Sequence, residues 1–573
     1  MFVLFEGIDG SGKTTLSNRV AEALAAGGLR VVHTRQGGRF ASTVTQAIRE
    51  LGRDARNMMM TPHAELMLYA ARDLQLLQEA TLPALARADV VIADRFLYSA
   101  EVLARWGRGL PPEDVEPVLR AATRGVTPDL VFLVDVDPHV ARARRRVAKI
   151  VAPDPRPSSR KGLAGVGMQQ RLREGYRALA ARAPDRWAVV DNTDADLDAL
   201  VGAVAEAVRA ARRDGPAAGV AAMAAATARA RETTAAVTPL HDAAEALARF
   251  VAWIDRRAAR EPALAAYFLA GLWGDPLDAR REALAERAPE VTANGLRGLD
   301  DETSWRLRRR LHERVPGLVA RSLVEAAAAR AEAQALLQAL AERCPLDVAA
   351  ALDGRDDEPA WALRERLWDS ANAAAGAPLR ARLAASLGYL SGERAWELRA
   401  RWLAEAAAAA ALDTYEGARA ACASVAGLDD GRAWDLRKQA RDVAPVPALD
   451  SVAGLTGERA WKWRRRALDR AAKVVMRTID GVDDPRAWEL RTEVALHCKE
   501  ALDSIVGLDG PPAWALREAC ADVWPSTVVK SLGPLVAAPR GRTLLARQLG
   551  RHAGNLSLLK HAAAAALRHG AVE

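Results

Sequence analysis

The residues best suited to chemistry form a glycine-rich segment near the N-terminus, Gly7-Ile8-Asp9-Gly10-Ser11-Gly12-Lys13-Thr14. It matches the pattern G-x-x-x-x-G-K-[ST], in which backbone N–H groups wrap around the phosphates of a nucleotide. The pattern assigns the β- and γ-phosphates to Lys13 and a Mg²⁺ ion to Thr14. Lys13 is the only lysine in the first 148 residues of an arginine-rich chain. Because a compact ammonium and a guanidinium are not interchangeable at such a site, a chance glycine-rich turn is the weaker interpretation.

A metal held by Thr14 also needs an acidic partner. Val90-Val91-Ile92-Ala93 is an apolar run typical of a buried strand, and Asp94 follows it directly. A carboxylate at the end of such a strand is the usual second protein group of a P-loop magnesium site. We therefore predict that Thr14 and Asp94 hold the metal; the alternative is an aspartate that caps a loop.

A β-sheet is needed to position the glycine-rich segment and Asp94, and the sequence pattern of the first 205 residues predicts one. Short apolar, β-rich runs alternate there with helical patterns, which indicates a parallel sheet covered by helices on both faces. The fold class expected for residues 1–205 is a three-layer α/β P-loop domain. The runs lie at residues 2–5, 30–33, 89–93, 130–134 and 187–190.

The second half of the chain has a different pattern. Residues 206–235 are rich in alanine and arginine and predict a linker or a loose helix. Residues 236–573 are helical in pattern and contain a recurring five-residue motif. The motif is a small residue followed by Trp, any residue, Leu or Trp, and Arg. This recurrence predicts an all-α, solenoid-like repeat domain. We interpret the tryptophans as core between repeats; the alternative is an aromatic stripe that binds a ligand. They are Trp305, Trp361, Trp396, Trp434, Trp461, Trp488 and Trp514.

Composition narrows the class of protein further. The 573 residues carry a net charge of +8, but arginines and acids are interspersed, which disfavours nucleic-acid binding. No stretch of roughly 18 apolar residues lacks charge, and the first residues do not resemble a signal peptide, so we expect no membrane span. The four cysteines form no CxxC pair, which is typical of a reduced cytoplasmic protein.

Residues 1–205 resemble the thymidylate kinase family of nucleoside monophosphate kinases. The segment FEGIDGSGKTT is close to the P-loop of that family. Five further segments follow in family order and spacing, and the set of six is far more specific than any one of them. They are residues 34–38 (TRQGG), 68–72 (LYAAR), 94–99 (DRFLYS), 107–110 (GRGL) and 128–136 (PDLVFLVDV).

The resemblance implies transfer of the γ-phosphoryl group of ATP to dTMP, with Mg²⁺. It implies a catalytic role for Lys13, Arg95 and one arginine of a mobile lid within residues 142–167, for which Arg146 and Arg160 are the candidates. A solvated basic helix end followed by a loop is the alternative for that segment. ATP would be held by Gly7, Asp9, Gly10, Ser11, Gly12, Lys13, Thr14 and Thr15. The acceptor would be held by Asp9, Arg35, Leu68, Arg72, Arg95, Ser99 and Arg108, with Arg35, Arg72 and Arg95 clamping its phosphate.

The base pocket departs from the family pattern. Leu68 stands where the family stacks an aromatic ring on thymine. Ala100, Leu103 and Ala104 stand where the family has polar or tyrosine side chains that contact the nucleotide. Loss of stacking and hydrogen bonding weakens base selectivity, so the acceptor is either dTMP held differently or another nucleotide.

Two other functions stay open at this point. The first is a nucleotide sensor or switch whose repeats bind a protein partner. The second is a nucleic-acid-binding array, which the interspersed acids oppose. The resemblance also implies a homodimer through the kinase domain.

Overall fold

The computed structural model describes residues 1–35, 42–153, 163, 165–232, 238–324, 330–371, 376–407 and 411–569. Two compact units divide the chain. The first comprises residues 1–145 and 156–236, and the second comprises residues 146–155 and 237–573. None of the described helices is both long and apolar enough to cross a membrane.

A five-stranded parallel sheet forms the centre of the first unit, as the sequence predicts. Its strands lie in the order β2-β3-β1-β4-β5, so that β1 pairs with both β3 and β4. Each predicted apolar run contributes one strand, and β1, β3 and β4 are buried along their whole length. The strands are β1 Phe2–Glu6, β2 Val31–His33, β3 Val90–Asp94, β4 Leu130–Asp135 and β5 Trp187–Asp191.

Helices cover this sheet and place the loops at the carboxyl ends of its strands. On one face, Leu16 and Val20 of α1 and Val204 and Val208 of α9 pack against the strands. The helices are α1 Lys13–Ala26, α2 Thr43–Arg53, α3 Pro62–Leu76, α4 Leu82–Leu85, α5 Leu97–Val102, α6 Pro112–Thr123, α7 Pro138–Val151, α8 Gly165–Arg182, α9 Leu197–Asp214 and α10 Pro216–Glu232. Wider π-type turns continue α3 over residues 77–81 and α5 over residues 103–107.

Residues 206–235 were predicted as a linker or a loose helix, and the described part of this segment, up to residue 232, is helical. Residues 206–214 complete α9, and α10 packs along α9 and against β5. Met223 of α10 is buried in the same apolar cluster as the sheet. A Cβ atom on Gly219 would lie 2.7 Å from the Ala207 carbonyl oxygen, so the two helices approach closely. Alanine is the strongest helix former, and here its small side chain builds close packing between helices.

The second unit is helical throughout its described residues. Helices α12, α14, α16, α18, α20, α22 and α24 each contact the next of the series, and α25, α27, α29 and α31 continue it. The last helix, α31, packs against the first, α11, so the array closes on itself. Arg249 Nη1 donates to the Ala553 carbonyl oxygen at 3.4 Å, and Lys560 Nζ donates to that of Ala270 at 2.9 Å across this closure.

The helices of the array are short, and most begin with a proline in the first turn. A kink at Ala471 divides α25 into two helices. Their bounds are α11 Ala243–Arg260, α12 Pro262–Leu269, α13 Asp278–Arg287, α14 Pro289–Asn294, α15 Glu302–Leu311, α16 Pro316–Ser322, α17 Ala331–Leu340, α18 Pro345–Ala351, α19 Glu358–Ser370, α20 Ala377–Ala385, α21 Glu393–Ala407, α22 Tyr415–Ser424, α23 Gly431–Ala440, α24 Pro445–Asp450, α25 Glu458–Thr478, α26 Pro485–Val494, α27 Glu500–Asp503, α28 Pro511–Ala519, α29 Pro525–Leu532, α30 Pro539–His552 and α31 Leu556–His569.

Each tryptophan of the repeated motif stacks on an arginine three residues later. In the repeat of Trp434, the Arg437 guanidinium carbon lies 4.8 Å from the indole centroid, and Arg437 is completely buried. Arg437 donates to the carbonyl oxygens of Val425 and Leu428, both at 2.7 Å, and to the Ser451 hydroxyl at 2.9 Å. A buried guanidinium is tolerated only when its N–H groups are bonded, so this contact holds one repeat to the next. Six of the seven motif tryptophans are buried and Trp488 is half-buried, as the core interpretation predicts.

Candidate active site

The glycine-rich loop connects β1 to α1, and its shape depends on residues without side chains. Gly7 and Gly12 adopt positive φ angles of 144° and 88°. A Cβ atom would lie 2.4 Å from the Val134 carbonyl oxygen at Gly7, and 2.5 Å from Asn192 Nδ2 at Gly12. Asn192 also donates to the Ser11 carbonyl oxygen at 2.7 Å, so the loop after β5 braces the P-loop. The result is a backbone cradle open to an anion at the N-terminus of α1.

Lys13 and Thr14 stand at the start of α1, where the motif requires them. Lys13 is buried, and its ammonium donates to the Ile8 carbonyl oxygen at 3.1 Å. Burial, with the positive charge of Arg95, lowers the pKa of Lys13 to about 7. A bound polyphosphate would replace the lost solvation and restore the charge of this lysine.

The predicted metal ligands are adjacent. The Thr14 hydroxyl donates to Asp94 Oδ2 at 2.6 Å, and Asp94 is 1 % exposed. Burial alone would raise the pKa of Asp94, but the charges of Lys13, Arg35 and Arg95 lower it, so the carboxylate is ionised. Asp94 Oδ1 is buried and has no hydrogen-bond partner among the described residues.

This pair suits Mg²⁺, which takes hard oxygen ligands and usually needs only one or two protein groups. The described residues contain no cluster of three or more His, Cys, Asp or Glu side chains that could enclose a metal. The other ligands of an ion beside Asp94 would therefore be phosphate oxygens and water, as in P-loop proteins.

Arg95 is the centre of a buried hydrogen-bond network. It follows β3 with a φ of 76°, a left-handed conformation that is strained for a long side chain. Its Nη1 donates to the Ser99 hydroxyl at 2.9 Å and to the Tyr176 hydroxyl at 3.1 Å, and its Nη2 donates to Asp9 of the P-loop. Glu6, completely buried at the end of β1, accepts from Ser99 at 2.7 Å and lies 3.9 Å from Arg95. The network thus ties the P-loop to the start of α5 through one guanidinium.

Further arginines converge beside this network. Arg35 Nη1 lies 3.3 Å from Asp94 Oδ2, and burial and the charges of Arg95, Arg72 and Arg53 lower the pKa of Arg35. Burial, with the charges of Arg53, Arg35 and Arg72, lowers the pKa of Arg49 to about 10. Arg49 has no ion pair with any residue that the structure describes. Such excess positive charge in a partly buried site is the environment of a bound anion.

Comparison with known proteins identifies the first unit. A family model described as thymidylate kinase matches residues 5–201. Thymidylate kinases from Trichlorobacter lovleyi and Solidesulfovibrio magneticus are each 38% identical to this chain, over 195 and 208 residues. These alignments cover 34% and 36% of this chain and 90% and 98% of those proteins. The chain belongs to the thymidylate kinase family.

A crystal structure of thymidylate kinase from Ehrlichia chaffeensis is also similar to this chain. It is 25% identical and covers 36% of this chain and 98% of that one, with a TM-score of 0.28.

In this thymidylate kinase family member, the predicted site residues do not all lie together. Thr14 and Arg35 contact Asp94, and Arg95 contacts Asp9 and Ser99. Lys13 contacts the Ile8 carbonyl oxygen of the P-loop. Thr15 is exposed on α1. Arg108 is held by an ion pair with Glu65 at 2.7 Å.

The predicted lid arginines have different positions. Arg146 is exposed on α7, and Arg160 lies outside the described residues. Arg145, the residue before Arg146, places its Cγ 3.1 Å from the position of a Cβ on Gly10, so its side chain borders the P-loop. Arg144 donates to the Asn192 carbonyl oxygen at 2.9 Å. The choice between Arg146 and Arg160 as the lid arginine remains a prediction.

The residues at the altered base pocket are apolar and largely buried. Ala100, Leu103 and Ala104 are each at most 3 % exposed, and Leu68 is half-buried. The aromatic ring next to Leu68 is that of Tyr69, which lies 4.5 Å from the Arg72 guanidinium carbon.

Sequence reasoning missed several residues of the site. Glu6 had a usable signal, since it is an acid that ends an entirely apolar strand just before the P-loop. Arg49 lies on the short helix α2, where nothing local separates it from the many surface arginines. Tyr176 and Asn192 reach the site only by folding, across 81 residues to Arg95 and 181 residues to Ser11.

Proposed function

We propose that this chain transfers the γ-phosphoryl group of ATP to dTMP and releases ADP and dTDP. The bond between the γ-phosphorus and its bridging oxygen breaks, and an oxygen of the dTMP phosphate forms the new bond to phosphorus. The observation that carries the proposal is the direct link between the two halves of the site, in which Arg95 donates to Asp9 of the P-loop. Family membership supports ATP as donor and dTMP as acceptor.

In this proposal the protein positions two anions and neutralises their charge. The P-loop backbone and Lys13 hold the β- and γ-phosphates of ATP. Arg35, Arg72 and Arg95, together with the neighbouring Arg49, hold the phosphate of dTMP and offset the repulsion between the two nucleotides. The attacking phosphate oxygen is already anionic near neutral pH, so the reaction needs no general base, and the site accordingly relies on arginines.

Thr14 and Asp94 would hold Mg²⁺ in the complex. The ion supplies neutralisation of the charge on the β- and γ-phosphate oxygens. The Thr14 hydroxyl, which donates a hydrogen bond to Asp94 Oδ2, would provide one oxygen ligand. Asp94 would provide a second through Oδ1, which has no hydrogen-bond partner among the described residues.

A panel of acceptors tests this function. Purified full-length protein is mixed with ATP, Mg²⁺ and one of dTMP, dUMP, dCMP, dGMP or dAMP, and ADP release is measured. We expect dTMP to be the preferred acceptor and Lys13→Ala to lower kcat/KM by at least about 100-fold. Lys438→Ala, which changes an exposed lysine of the array, is the control that keeps full activity. Absence of ADP with every acceptor would contradict the proposal.

We also propose that the protein forms a homodimer through the kinase unit and that the array binds a protein partner. We propose the cytoplasm as its location. Exposed apolar side chains on the array support a partner, notably Tyr389 at 61 % and Leu496 at 53 % exposure. The four cysteines are free thiols, as a reducing compartment keeps them. Light scattering on the full chain at several concentrations tests the dimer, since a constant monomer mass would refute it.

A further inference from the structure

Asp73 is a buried carboxylate that the functions described above do not use. It follows Arg72 on α3 and is 2 % exposed. Its Oδ1 accepts from Arg72 Nε at 2.7 Å and also from Arg72 Nη2. Its Oδ2 is buried and has no hydrogen-bond partner among the described residues. A buried acceptor that lacks a donor is costly, and a ligand that brings an N–H group would remove that cost.

Helix α3, which carries Asp73, packs against elements of the acceptor side of the site. Helix α3 packs against α5 and its continuation over residues 103–107, which carry the apolar residues Ala100 and Ala104. Those two side chains offer no hydrogen bond to a base, whereas Asp73 offers a free carboxylate oxygen. Burial raises the pKa of Asp73 above its ordinary value, although the nearby charges of Arg72 and Arg95 act against this shift. These arginines therefore favour the ionised form, which is a strong acceptor.

We propose that Asp73 Oδ2 accepts a hydrogen bond from the N3–H group of the thymine ring and so determines the base specificity of the kinase. This inference rests on the proposed function. Thymine and uracil carry a donor at N3, but cytosine carries a lone pair there, which the carboxylate would repel. Asp73 thus supplies the polar contact that Ala100 and Ala104 cannot make.

The test compares dTMP with its N3-methyl analogue, in which a methyl group replaces the hydrogen of N3–H and both carbonyl groups are kept. We expect wild type to use the analogue with kcat/KM about 10- to 100-fold lower, because the buried carboxylate is left without its donor. In Asp73→Ala the ratio of kcat/KM for dTMP to kcat/KM for the analogue falls towards one, since neither substrate can bond to the missing group. Asp73→Asn, which retains the shape of the side chain, lowers the ratio and raises the use of dCMP relative to dTMP, because its amide can donate to the cytosine nitrogen.

Several outcomes separate the possibilities. If the ratio of kcat/KM for dTMP to kcat/KM for the N3-methyl analogue is the same in wild type and both variants, the role of Asp73 is overturned while the kinase function stays intact. Preference of wild type for dCMP would also overturn it. Absence of turnover with every acceptor would instead refute the proposed function itself. ATP binding to each variant, measured by calorimetry, shows that the P-loop is still folded, because the hydrogen bonds of Asp73 within the described part of the chain are made to Arg72 and not to the P-loop.

Discussion

Burial of Lys13 predicts that ATP affinity falls as the pH rises above neutral. The pKa of this lysine is lowered from 10.5 to about 7 in the free protein. Only the ammonium form attracts phosphate, so deprotonated protein must first take up a proton in order to bind ATP. About half of the molecules are protonated at pH 7 and about one in a hundred at pH 9. The apparent dissociation constant therefore rises roughly 50-fold between these values.

The lowered pKa of Lys13 also affects the free energy of unfolding of the free protein, which changes with pH in the direction opposite to ATP affinity. An unfolded lysine stays protonated up to its ordinary pKa of 10.5, whereas folded Lys13 loses its proton near pH 7. Between these two values the unfolded state binds more protons, so the contribution of Lys13 to the free energy of unfolding increases with pH. ATP affinity and the stability of the free protein are thus expected to change in opposite directions.

Titration calorimetry at pH 8, where ATP itself is fully ionised, measures the effect directly. Binding in two buffers of different ionisation enthalpy should show uptake of roughly 0.9 proton per ATP. Lys13→Met should bind more weakly but without proton uptake, and Lys438→Met should behave as wild type. Proton uptake near zero in wild type, or an unchanged pH slope in Lys13→Met, would refute the reasoning.

Two further predictions concern the arginine networks of the two units. Tyr176→Phe removes the hydroxyl that meets Arg95 and Ser99. It should lower kcat/KM for dTMP about 5- to 10-fold in a coupled ADP assay, and an unchanged value would mean that Tyr176 only packs. Arg437→Met leaves the carbonyl oxygens around that guanidinium unpaired and should lower the free energy of unfolding by about 3–5 kcal/mol. Urea unfolding followed by tryptophan fluorescence measures this loss, and a change no larger than that of Lys438→Met would contradict it.

Local features of the chain were sufficient to predict much of this protein. The P-loop could be read from sequence because its function requires glycines, a lysine and a hydroxyl residue at consecutive positions. The strands were visible because a parallel sheet buried on both faces needs continuous apolar runs. The repeats were visible because one tryptophan recurs in each, and the structure places a buried arginine beside it.

Contacts between segments that are distant in the chain could not be predicted from local sequence features. Residues 206–235 were predicted as a linker or a loose helix, and the sequence did not show that α10 is held by packing against α9, because alanine-rich composition does not reveal such packing. Closure of the array depends on α31 meeting α11, and no residue of either helix signals the other.

By itself, the sequence of this protein determined which groups meet the phosphates of a nucleotide and that the second half repeats. Both are set by residues close together in the chain, where backbone geometry and spacing act directly. Only the tertiary structure decided which partners surround those groups, such as Tyr176 and Glu6 at Arg95. It also showed that one Asp73 oxygen has no hydrogen-bond partner in the part of the chain that the structure describes. Burial and electrostatic pairing depend on segments brought together by folding, and these effects set the charge of Lys13 and the specificity inferred for Asp73.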